Sequence, residues 1–226
     1  SAASDVYKRQ GLIKSCMKEK AIIVGAGTYG QVYSEYLKDE YQIIGFIDDD
    51  LCLRDTEINN IKILGDFEYL LKNIDKSVNV FIPIGNNTVR CNLLKKVMQS
   101  GFNTPSYIHP TCNIHKSVKI GKCVYILPNS NIMPLTQLKD FVLISMGVNI
   151  AHHTVIEEGC FFSQGSNIGA NIHFEKNVFC GIASTVMTGV KKVGTDSFIG
   201  AGAVIIKDVP DGATVVGNPG RIIKQK

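Results

Sequence analysis

The feature that most constrains this chain is a period of six. From Ile108 onward an apolar residue recurs at every sixth position, through Ile114, Ile120, Ile126, Ile132, Leu138, Ile144, Ile150, Ile156, Phe162, Ile168, Phe174, Cys180 and Val186. One extra residue between Gly189 and Lys192 shifts the phase, and the register resumes at Val193, Ile199 and Ile205. The positions two before each of these, from Ser106 and Cys112 to Ser184, are all small or β-branched. An α-helix repeats at 3.6 residues and a strand at two, so neither produces a period of six. A coil of short strands joined by corners does. Residues i−2 and i point inward, i−1 and i+1 point outward, and the next two turn the corner. Stacked coils pair each backbone with the coil above and below, which makes a solenoid, the parallel β-helix.

The stretch before Phe102 follows a different pattern. Ala21–Val24, Gln42–Ile47 and Asn79–Ile84 read as buried strands, with helices over Gln31–Lys38 and Thr88–Ser100. This βαβ order predicts a small Rossmann-like α/β domain with a parallel sheet, whose ligands sit at the carboxyl ends of the strands. The division expected is a first domain over 17–103 and the solenoid over 104–226. Residues 1–16 fit neither pattern and lack the apolar centre of a signal peptide, so they read as a leader foreign to the fold.

Composition excludes some classes. A net charge of +4 without blocks of like charge argues against a nucleic-acid partner. No apolar run approaches the roughly 20 residues that span a bilayer. The seven cysteines are scattered without a CxxC pair, which reads as reduced structural thiols in a cytoplasm.

Six motifs add specificity: Val24-Gly-Ala-Gly-Thr-Tyr-Gly30, Ile47-Asp-Asp49, Ile84-Gly-Asn-Asn87, Ile150-Ala-His-His-Thr-Val-Ile156, Ile199-Gly-Ala-Gly-Ala203 and Gly217-Asn-Pro219. Together they resemble the sugar O-acyltransferase family of hexapeptide-repeat transferases. That family includes sialic acid O-acetyltransferases and the UDP-4-amino-sugar N-acetyltransferases of bacterial glycan synthesis. The resemblance implies a left-handed β-helix, acetyl-CoA as acyl donor, a sugar or UDP-sugar as acceptor, and a homotrimer with sites at subunit boundaries.

Attack on a thioester needs a base titrating near neutrality, which suits imidazole. The resemblance carries that role to His152, two residues after the inward Ile150. The family places an acidic residue next; here it is His153, which offers no carboxylate. A further family histidine corresponds to Phe161, and the histidine of the glycine turn to Tyr29. Glu157 and Glu158 are the nearest carboxylates in sequence. His109, His115 and His173 face outward and read as surface residues. No metal is expected, because the histidine pair five apart of a zinc hydratase is missing.

Gly25-Ala-Gly-Thr-Tyr-Gly30 matches GxGxxG between a strand and a helix, with Asp48 eighteen residues on. Only half of a dinucleotide fold precedes the repeats, so the turn reads as a phosphate cradle built from Gly25, Gly27, Thr28, Tyr29 and Gly30. The competing reading is a tight turn that only packs helix on strand. By resemblance, Asp48 and Asp49 face the uridine or ribose, and Gly85 and Asn86 border the sugar. Acetyl-CoA is expected along the solenoid at corners near Ala170, Ile182, Ala183, Gly200 and Ala201. Lys207, Arg221 and Lys224 are the basic residues that could meet its phosphates, beside the reading in which they are simply solvated. Three other readings stand beside this one: O-acetylation of a free sugar or sialic acid, a non-catalytic scaffold that binds a nucleotide-sugar, and an NAD-sensing regulator.

Overall fold

The computed structural model describes residues 18–225; the expected leader over 1–16 lies outside them. The described chain divides into two compact units, 18–105 and 106–225.

The first unit holds a five-stranded sheet. Its strands are β1 (Glu19–Val24), β2 (Tyr41–Ile47), β3 (Glu57–Ile58), β4 (Ile61–Gly65) and β5 (Asn79–Phe81), in the order β3-β4-β2-β1-β5. All pairings are parallel except β3 with β4. Its helices are α1 (Thr28–Leu37), α2 (Phe67–Asn73) and α3 (Asn87–Gln99). The core is apolar, with Ile22, Ile23, Phe46, Ile47, Val80, Phe81 and Leu94 fully buried.

The α/β reading holds, with three differences. Helix α1 begins at Thr28, inside the stretch read as turn, because Gly27 takes an extended N-cap conformation (φ −65°, ψ 179°). Strand β5 stops at Phe81 rather than Ile84, since Pro83 has no N–H to give to a ladder. The β3–β4 hairpin and α2 were not expected from sequence. The hairpin turns on Asn59 and Asn60, both at positive φ (52° and 61°), which is the conformation of a tight hairpin turn.

The second unit is the solenoid. Two-residue strands stack into three parallel sheets of eight, six and five strands, the largest counting a closing hairpin. One sheet, the aromatic face, includes Tyr125–Ile126, Leu143–Ile144, Phe161–Phe162 and Phe179–Cys180. The next, the asparagine face, includes Asn131–Ile132, Asn149–Ile150, Asn167–Ile168 and Thr185–Val186. The third includes Gln137–Leu138, Val155–Ile156 and His173–Phe174. Partners on successive coils are 18 residues apart, as in Asn131 with Asn149. The spacing becomes 19 where the extra residue enters, as in Asn177 with Asp196. The inward residues form one buried core running from Val118 to Val215.

Two features hold the coils. Corner residues such as Leu135, His153 and Asn171 adopt φ of 65°, 60° and 57°, which lets the chain turn between flat faces. Buried hydroxyls satisfy backbone carbonyls at the corners; Thr154 Oγ1, for example, donates to Gly169 O at 3.0 Å. The solenoid ends in an antiparallel hairpin of Ala213–Val216 and Arg221–Gln225, with Gly217, Asn218 and Pro219 at its turn. The edge strand is thereby paired rather than left open.

Candidate functional site

His152 and His153 occupy the corner between the asparagine face and the third face. The corner is tied to both neighbouring coils: His153 N–H donates to Pro134 O at 3.2 Å, and Asn171 N–H donates to His152 O at 3.0 Å. Thr136 Oγ1 donates to Ala151 O at 3.2 Å. Backbone fixed on both sides holds the Cα positions of the two histidines, while both side chains are exposed.

The two rings meet each other. His152 Nδ1 and His153 Nδ1 lie 2.9 Å apart, with the rings nearly perpendicular at 88°. Among the described residues this is the one polar side-chain contact of His152, and it engages Nδ1 rather than Nε2 of that ring. Glu157 does not support this pair; its Oε1 lies 3.2 Å from His173 Nε2. Phe161 stands on the aromatic face, its ring 5.1 Å from that of Phe179, and so is not beside His152. His109 and His115 each hold a nearby hydroxyl, of Thr111 and Ser117, through Nδ1 at 2.9 Å.

Beside the histidine corner runs a groove of about 430 Å³ on the asparagine face. Met133, Ala151, Gly169, Met187 and Thr188 line it together with Asn131, Asn149 and Asn167. The three asparagines form a ladder, each Nδ2 of Asn131 and Asn149 donating to the next Oδ1 at 2.9 Å.

The residues expected to meet acetyl-CoA fall into two groups. Ala170 and Lys207 lie in the column of corners that carries His152. Ile182, Ala183, Gly200 and Ala201 lie in the column at the opposite edge of the asparagine face, where Gly202 N–H donates to Ile182 O at 2.8 Å. Within one protomer these two groups are separated by the width of that face.

In the first unit the glycine turn assigns a separate task to each glycine. Gly25 has φ 96° and starts the turn. A β-carbon on Gly30 would collide with the carbonyl oxygen of Gly25, so Gly30 lets the helix seat on the strand. A β-carbon on Gly27 would meet nothing within 4 Å, so open space lies over the backbone there. Thr28, Tyr29 and Gly30 form the first turn of α1, which has no side-chain N-cap, whereas Asp66 caps α2 and Asn86 caps α3. An uncapped helix start presents N–H groups and partial positive charge to an anion. Tyr29 packs its ring 5.9 Å from that of Tyr33.

The expected acidic residues are anchored locally. Asp48 accepts from Ala26 N–H at 2.7 Å and from Asp50 N–H at 3.0 Å. Asp49 accepts from Phe67 N–H at 2.8 Å, at the start of α2. Asn86 accepts from Val89 N–H at 3.0 Å, so its oxygen serves α3 while its amide N–H groups stay exposed beside Gly85. Sequence reasoning missed Arg90. It is fully buried and donates to Ile84 O at 2.7 Å and to Asn87 Oδ1 at 3.0 Å, bracing the Gly85–Asn86 loop from beneath. The signal was present: Arg90 stands in the buried stripe Asn87, Arg90, Cys91, Leu94 and Val97 of α3.

Neither Cys112 nor Cys180 of the solenoid suits nucleophilic work. Burial pushes the Cys180 thiol far above its ordinary range, and burial also raises that of Cys112. Among the described residues no helix is long and apolar enough to cross a membrane.

Comparison with known proteins places this arrangement. Residues 20–97 match the PglD N-terminal domain family. The acetyltransferase domain of PglB from Neisseria gonorrhoeae FA1090 superimposes with a TM-score of 0.85 at 26% identity, over 91% of this chain and 100% of that one. That domain has also been solved in complex with acetyl coenzyme A. PerB from Caulobacter crescentus, solved in complex with CoA and GDP-perosamine, matches in fold with a TM-score of 0.84 at 24% identity, over 92% of this chain and 99% of that one. A 2,3,4,5-tetrahydropyridine-2,6-dicarboxylate N-acetyltransferase of Staphylococcus aureus (strain JH9) is 41% identical over 51 residues, which are 23% of this chain and 21% of that protein. The chain thus matches only about a fifth of the length of that curated relative. Residues 20–97 match the PglD N-terminal domain family, and the chain as a whole has the fold of the hexapeptide-repeat acetyltransferases, a small α/β domain followed by a left-handed β-helix.

Proposed function

We propose that this protein transfers an acetyl group from acetyl-CoA to an amine or hydroxyl of a nucleotide-linked sugar. The observation that carries the reading is His152: an exposed imidazole on a braced corner, next in sequence to Ala151 of the groove on the asparagine face, with Nδ1 engaged by His153. The acetyl-CoA complex of the similarly folded PglB domain supports the choice of donor.

In this reading the acceptor nitrogen or oxygen attacks the thioester carbon directly. The new bond to carbon forms, the carbon–sulfur bond breaks, and the thiolate of CoA leaves. His152 Nε2 takes the acceptor's proton and can return it to the thiolate, so no acyl-enzyme is needed. The N–H groups of Ala170, Ala183 and Gly200 are already donated within the solenoid, which leaves a corner N–H such as that of Ala201 to meet the oxyanion. The glycine turn takes the phosphates of the sugar nucleotide at the start of α1, with open space over Gly27.

The active assembly in this reading is a homotrimer. The acetyl-CoA residues Ile182, Ala183, Gly200 and Ala201 stand on the edge opposite His152, so one protomer supplies only half of the set. A cyclic trimer would set the histidine edge of one protomer against the other edge of its partner. The test is release of free thiol from acetyl-CoA with UDP- and GDP-linked amino sugars, set beside free sugars. Turnover with a nucleotide-linked amino sugar is expected. Failure of the protein to bind acetyl-CoA in calorimetry would contradict the reading and favour a non-catalytic nucleotide-sugar-binding scaffold.

A further inference from the structure

We propose that His153 is a positioning residue for His152, a second imidazole standing where a carboxylate would serve, with the two Nδ1 atoms holding one proton between them. The inference rests on the reading of His152 as the base.

The geometry leads to it in three steps. First, two Nδ1 atoms 2.9 Å apart bond only if one carries hydrogen and the other a lone pair. The rings must therefore be opposite tautomers. When His152 donates from Nδ1, its Nε2 is the lone-pair atom and is ready to accept a proton. When His153 donates instead, His152 Nε2 carries hydrogen and cannot act.

Second, a proton arriving at His152 Nε2 selects the first arrangement. The imidazolium then keeps its Nδ1–H on the neutral His153 ring, so the charged form is held in a fixed orientation. A carboxylate partner would add a full negative charge; a neutral ring orients the base without that pull.

Third, the backbone explains why this ring can reach its neighbour. His153 has φ 60° at a corner fixed by Pro134 below and Asn171 above. The residues at this corner on the adjacent coils are Pro134, Leu135, Ala170 and Asn171, none of which titrates. The charged or titratable groups on the neighbouring elements include Lys116, Lys139, Glu157, Glu158, His173 and Lys191. Glu157 is held by His173, and Lys116 and Lys191 have no contact with either ring among the described residues.

The experiment compares three variants. His153→Gly removes the ring at a residue whose φ suits glycine, so the corner keeps its fold, as thermal unfolding checks. Its kcat should fall about ten-fold or more, the scale of losing the group that orients a catalytic histidine, with KM for acetyl-CoA little changed. His153→Asn offers an acceptor oxygen in a conformation asparagine tolerates and should restore part of that loss. His153→Asp should restore activity and move the acid limb of the pH–rate profile to higher pH, because a carboxylate holds the imidazolium more strongly. Nitrogen-15 NMR of the wild type should show one proton shared by the two Nδ1 atoms, with the rings in opposite tautomers. Wild-type kcat and an unmoved pH profile in His153→Gly would overturn the inference, as would both rings in the Nε2–H form by NMR. The NMR reading stands without turnover, so it separates failure of this inference from failure of the acetyl-transfer reading, which His152→Ala tests.

Discussion

The carboxylate of Asp48, at the end of β2, accepts the backbone N–H of Ala26 at 2.7 Å and so fastens the glycine turn to the neighbouring strand. The same carboxylate also receives Asp50 N–H, so one side chain orders both loops at the carboxyl edge of the sheet. Replacing it with alanine should cost about 1.5–3 kcal/mol of stability in the first unit, the range for hydrogen bonds to a charged acceptor. Sugar-nucleotide affinity should fall with it. Chemical denaturation and calorimetry on Asp48→Ala measure the two effects separately.

Gly27 and Gly30 distinguish a phosphate cradle from a packing turn. Ala at position 30 collides with Gly25 O and should destabilise by about 1–3 kcal/mol. Ala at position 27 meets nothing in the protein, so stability should stay within about 0.5 kcal/mol. Its methyl group would nevertheless occupy the space over the helix start and weaken sugar-nucleotide binding by about ten-fold. Unchanged affinity in Gly27→Ala would leave the turn with packing alone.

The solenoid was legible because each six-residue step dictates which side chains turn inward, and Ile150, Ile156 and Ile168 are buried as that step requires. The outer surface was less legible. Tyr125, Leu143 and Phe161 point outward on the aromatic face and yet are buried, a fate the repeat does not determine. Asn59-Asn60 was a readable hairpin signal, but its flanking strands are too short to show alternation. The split of the residues proposed for acetyl-CoA between two edges follows from counting corners along the coil. The meeting of His152 with His153 does not, because it depends on side-chain torsions at a left-handed residue.

That split predicts complementation. Subunits carrying His152→Ala and subunits carrying Ala201→Trp should each be inactive by at least about ten-fold as pure assemblies. Mixed assemblies should recover activity, since some boundaries then join an intact histidine edge to an intact opposite edge. Thiol release from refolded mixtures checks this, and no recovery would argue for sites built within one protomer.

Glu175 gives a pH test of the solenoid. Hydrogen bonds from Lys192, at 2.9 Å, and from Thr195 hold its carboxyl below the usual range. A group whose folded pKa is lowered stabilises above its unfolded value, and that contribution is lost as pH falls through the folded one. Wild type should therefore exceed Glu175→Gln in thermal stability at neutral pH. The difference should shrink below about pH 4.

Buried thiols should resist modification. Iodoacetamide should label exposed Cys52 in the folded protein and spare Cys160 and Cys180, which are fully buried. Mass spectrometry of the digested protein reads the pattern.

The account stands most directly on the role of His152. Steady-state acetyl transfer from acetyl-CoA to a nucleotide-linked amino sugar should fall about a hundred-fold or more in His152→Ala, while acetyl-CoA still binds and the protein still unfolds at its wild-type temperature. Turnover in that variant equal to the wild type would contradict it.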